Sequence, residues 1–104
     1  MKILHLTLKK KWFDLIASGE KKVEYREIKP YWIKRLLNED DSAKEFDEIY
    51  FKNGYKKDSP FMRVKFEFLS RGRFEEKNCF AIKLGEVLEL RNSAKPKNEE
   101  RSKE

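Results

Sequence analysis

Residues 18–27 read Ser18-Gly19-Glu20-Lys21-Lys22-Val23-Glu24-Tyr25-Arg26-Glu27, and the change of period inside this stretch sets the fold class. Before it, Trp12, Phe13, Ile16 and Ala17 fall on one helical stripe over residues 10–18, and Gly19 stands where a left-handed residue ends a helix. Within it, residues 22–28 alternate, with Val23 and Tyr25 on one side and Lys22, Glu24 and Arg26 on the other, which predicts a strand. That phase assigns Tyr25 to the core and puts Glu24 and Arg26 on one polar face, roughly 6 to 7 Å apart at Cα.

Outward from this stretch the pattern repeats. Residues 2–8 alternate, with Leu4, Leu6 and Leu8 on one face, and predict a first strand. Pro30 opens a second helix through Leu37, because proline is well tolerated in a first turn. An acidic loop follows over 38–45, then a strand over 48–52 closed by the turn dipeptide Asn53-Gly54. Met62, Val64, Phe66 and Phe68 alternate with charged residues and predict a half-buried strand with all four on the core side. The polar segment 70–78 reads as a connection to Phe80, Ile82 and Leu84, and Gly85 as a bulge or corner before Val87, Leu88 and Leu90. The expectation is an α+β domain over 1–91, a small β-barrel of five or six strands with one or two covering helices. The charged segment 92–104, whose one apolar residue is Ala94, is expected to be a loose tail.

Composition bounds the function. A chain of 104 residues with 38% hydrophobic and 42% charged residues can form one small core only if its apolar residues are clustered, as its eight Phe, four Tyr and two Trp are. The formal charge of +6 favours polyanionic partners such as RNA, although ordinary solubility charge gives the same balance. Cys79 is the one cysteine, so no intrachain disulfide forms, and a reducing cytoplasm fits. The stretch Met1 to Leu6 is too short and polar for a signal peptide, and no apolar run is long enough to cross a bilayer, so no membrane partner is expected. With one Cys and the single His5, no zinc site can be assembled from these types. We expect no structural metal and no cofactor.

The candidate chemistry lies on the decisive stretch. Lys21 and Arg26 can hold phosphate while Glu24 accepts a hydrogen bond from a base amino group or a ribose hydroxyl. A solvated strand face with a weak ion pair would look the same. Lys9, Lys10 and Lys11 crowd the start of the first helix, where positive charge opposes the macrodipole; they extend a phosphate track or are simply solvated. Trp32 is a candidate for base stacking, or packs with Leu36. Arg71 and Arg73, flanking Gly72 in an expected hairpin loop, are candidates for backbone phosphate contacts.

The pattern Gly19-x-Lys21-x-x-Glu24-x-Arg26 after a first strand and helix resembles the signature of the ASCH family, whose fold is a PUA-like β-barrel. Pro30-Tyr31-Trp32, Asn53-Gly54-Tyr55 and Phe80-Ala81-Ile82-Lys83-Leu84-Gly85-Glu86 extend the resemblance over most of 1–90. It implies a cleft lined by Lys21, Glu24 and Arg26 that binds RNA or a nucleotide-like ligand. One branch of the family hydrolyses acetylated cytidine with the motif lysine and a threonine, and Glu24 stands at that threonine's position here. A carboxylate can act as a base toward water but does not replace a hydroxyl nucleophile that carries an acyl group. A hydrolase using Lys21 and Glu24, whether on an N4-acylcytidine or as a ribonuclease, is therefore the alternative. A protein-interaction module is the third.

Overall fold

The computed structural model describes residues 1–92, so the charged tail expected over 92–104 lies, apart from Asn92, outside the described residues. The elements run β1 (Ile3–Thr7), α1 (Lys10–Ala17), β2 (Val23–Glu27), α2 (Pro30–Leu36), β3 (Glu48–Lys52), β4 (Phe61–Phe74) and β5 (Lys77–Arg91). They form an α+β fold with one mixed five-stranded sheet in the order β1-β3-β4-β5-β2. β1 pairs parallel with β3, and the other three pairings are antiparallel. No helix among the described residues is long and apolar enough to cross a membrane.

Leu4, Leu6 and Leu8 of the first alternating stretch are buried against Ile49 and Phe51 of β3, with Phe13 and Ile16 of α1 and Leu36 of α2 covering the same side. The alternation of the strands and the helical stripe of α1 therefore meet in one core, as their periods require.

Several expectations change. Backbone pairing does not close the sheet into a barrel: β1 and β2 are its edges. The two strands expected on either side of Gly85 are one continuous β5, so there are five strands and not six. The bulge expected at Gly85 is present: between Val64 and Phe66 the partner runs from Val87 to Leu84, one residue more on β5 than on β4. A Cβ at Gly85 would stand 2.6 Å from Glu67 Oε2 and 3.1 Å from Lys65 Cβ, so a larger residue here would displace the Glu67 carboxylate and press on β4.

The segment 70–78 is not a polar connection. β4 and β5 run through it as a long hairpin turned by Glu75 and Glu76, both at positive φ (50° and 68°). Register shifts along Arg63 to Phe68 also reverse the side-chain phase. Phe66 is buried, Phe68 is 54% exposed, and Leu69, paired with Ile82, takes up the inward side. An inserted residue moves every following side chain to the opposite face, which is why strict alternation misplaced Phe68.

Candidate functional site

Lys21 is placed by the end of α1. Gly19, at φ +88°, donates its N–H to the Ile16 carbonyl (3.0 Å), and the Lys21 N–H donates to the Leu15 carbonyl (3.0 Å). The chain thus folds back on the helix it has just left, a glycine-based termination. The Lys21 ammonium then lies 5.2 Å from the Trp12 ring centroid and 5.4 Å from that of Tyr25.

β2 presents the face opposite to the one its alternation implied. Glu24 and Arg26 are register partners of Ile82 and Phe80, both core residues, so their side chains share the core side of the sheet. Glu24 is 4% exposed. A buried carboxylate is costly unless paired, and here Arg26 Nη1 donates to Oε2 while Lys21 Nζ stands 3.6 Å from Oε1. Tyr25 points to the other face, opposite Ala81, and stacks on Phe74 with centroids 4.6 Å apart and planes 17° apart. It is a half-buried wall and not a core residue.

Two guanidinium groups fill the gap between the sheet edges. Arg26 donates to the Tyr25 carbonyl (2.9 Å) and across the gap to the Thr7 carbonyl (3.4 Å). Arg35 of α2 donates to the His5 carbonyl (2.9 Å) and to the Tyr31 hydroxyl (3.1 Å). Both lie near the Trp32 ring, 5.1 and 5.4 Å from its centroid. Burial, and then the neighbouring Arg35, lower the pKa of Arg26 from its ordinary value. Burial, and then Arg26, lower that of Lys21.

Along this seam opens a cleft of about 290 Å³, lined by Thr7, Leu8, Lys9, Trp12, Lys21, Glu24, Tyr25, Arg26 and Phe74. Lys21, Glu24 and Arg26 thus converge on one opening. Lys9 lines it too, whereas Lys10 pairs with Asp14 (2.6 Å) on the exposed side of α1. Trp32 is half-buried and packs on the core and on Arg26 outside the cleft lining. Arg71 and Arg73 are on β4, not in a loop, and line a separate hollow with Ile28, Gly72 and Asn78.

Sequence reasoning missed Trp12, Tyr25 and Phe74 as walls and Arg35 as a seam residue. Trp12 and Tyr25 had been assigned to apolar stripes, and the position of Phe74 depends on a hairpin that the polar composition of 70–78 concealed. With Lys9, Lys21 and Arg26 against Glu24, the cleft favours an anionic group, and its aromatic walls suit a flat ring. Arg26 is committed to four partners. Lys21 has one carboxylate at 3.6 Å, beyond hydrogen-bonding distance, so its donors can reach a ligand. Among the described residues no three His, Cys, Asp or Glu side chains gather as a metal site would need. No family model, no curated protein and no solved structure matches the chain.

Proposed function

We propose that this cleft binds RNA or a nucleotide-like ligand, and that the chain is an ASCH-like domain on a PUA-like barrel whose last seam is bridged by side chains. The observation that carries the reading is the convergence of Lys21, Glu24 and Arg26 on one open cleft with aromatic walls. Lys21 and Lys9 meet a phosphate, a base lies against Tyr25 or Trp12, and Glu24, held by Arg26, accepts from an exocyclic amine or a ribose hydroxyl. The test is fluorescence anisotropy with labelled RNA across a salt series. Binding should weaken steeply with salt, and Lys21→Ala should weaken it about equally for all sequences. A flat salt response would count against the reading.

A hydrolytic reading has one observation in its favour: Lys21, whose pKa burial lowers, stands in the cleft 3.6 Å from the Glu24 carboxylate. Against it, the Glu24 carboxylate is buried and already accepts from Arg26, with Lys21 3.6 Å from its other oxygen, and so is not free to face an attacking water. Incubation with N4-acetylcytidine separates the two readings, since only the hydrolase releases cytidine.

A further inference from the structure

Arg26, Phe80 and Arg71 are register partners across β2, β5 and β4. Residues opposite one another in antiparallel pairs share a face, so these three side chains form one row on the sheet. Two residues further along, Asn78 and Arg73 are the next pair, and they line the second hollow, of about 380 Å³. The cleft and the hollow both border β2: one is lined by its residues Glu24 to Arg26, the other by Ile28 just past its C-terminal end.

The guanidiniums of β4 are not equivalent. Arg63 is held by Glu48 (2.9 Å) and Glu89 (3.2 Å), a structural cluster. Arg71 has no carboxylate partner among the described residues, is exposed, and lies 5.6 Å from the Phe80 ring centroid, which supports the group. Asp41 shares an adjoining hollow with Arg71 without pairing to it. Arg73 reaches only Glu76, at 3.4 Å, in a pair with both partners largely exposed. Such a pair contributes little and yields readily to a phosphate.

Resting on the reading of the cleft above, we infer that its ligand is a single-stranded polynucleotide, with one unpaired nucleotide in the cleft and neighbouring phosphates on Arg71 and Arg73. At a strand spacing of roughly 4.8 Å, Arg71 is about 10 Å from Arg26 across the sheet. About three stacked nucleotides at roughly 3.4 Å each span that distance. A cleft of about 290 Å³ admits one base with its sugar, which a duplex supplies only by unpairing.

The experiment measures anisotropy of a fluorescein-labelled oligouridylate series, from mononucleotide to octanucleotide, on the wild type, Arg71→Ala/Arg73→Ala and Arg71→Lys/Arg73→Lys. The octamer should bind wild type at least tenfold more tightly than the mononucleotide, roughly as two added phosphate contacts imply. The alanine pair should abolish that gain, lower the salt slope by about 1.4, and leave mononucleotide binding unchanged; the lysine pair should keep the slope. If lengthening adds nothing, or the alanine pair leaves the octamer slope intact, the inference is overturned while Lys21-dependent mononucleotide binding would still uphold the cleft. If neither mononucleotide nor octamer binds, both readings fall.

Discussion

The guanidinium of Arg26 on β2 donates to the Thr7 carbonyl on β1 (3.4 Å), although the two strands are opposite edges of the sheet. One side chain therefore bridges a seam that backbone pairing leaves open, and the same side chain neutralises the buried Glu24. Stability and the shape of the cleft depend on it together.

Arg26→Ala should lower the unfolding free energy by about 3 kcal/mol, because it leaves Glu24 buried with only the distant Lys21. Arg26→Lys should recover part of this, since an ammonium cannot serve Glu24 and both carbonyls at once. Urea denaturation checks both; an Arg26→Ala midpoint equal to wild type would remove the seam role.

The pH dependence follows from Lys21. Its folded pKa lies below the ordinary lysine value of 10.5, chiefly through burial. Between the two values the unfolded chain binds more protons, so stability rises with pH across that window, and the cost of the buried charge is fully present below it. Compared with Lys21→Met, the wild type should therefore gain stability as pH climbs toward 10.5. Thermal melts of both proteins at stepped alkaline pH would show a constant difference if Lys21 were unperturbed.

The hairpin turn is an improvable site. Glu75 and Glu76 both hold positive φ, 50° and 68°, which glutamate adopts at a cost and which Asn-Gly adopts readily. Glu75→Asn/Glu76→Gly should add about 0.5–1 kcal/mol, read as a higher melting temperature. A lower one would show that the turn is not of this type.

Phe74 tests the aromatic wall. It is 40% exposed, so Phe74→Ala should change stability by less than about 1 kcal/mol. If a base stacks on the Tyr25–Phe74 pair, the same change should weaken RNA binding about tenfold. Equal affinities would assign the pair to packing alone.

Much of this was legible in the chain. The alternation of Leu4, Leu6 and Leu8, the helical stripe of Phe13 and Ile16, and the Gly19 termination all reappear, because each is a local pattern whose period the backbone enforces. The grouping of Lys21, Glu24 and Arg26 was legible for the same reason: they are close along the chain on one turn and one strand.

The sequence by itself determined where the two helices and the first three strands form and that a lysine, a glutamate and an arginine stand together. The tertiary structure decided which way β2 faces, that Glu24 is inside, and that Phe68 is out while Leu69 is in. It also decided that the free edges of β1 and β2 meet across Arg26. Periodicity reports only that two sides of a strand differ; which side is buried is set by what packs on it from far along the chain, and bulges reset the phase on the way.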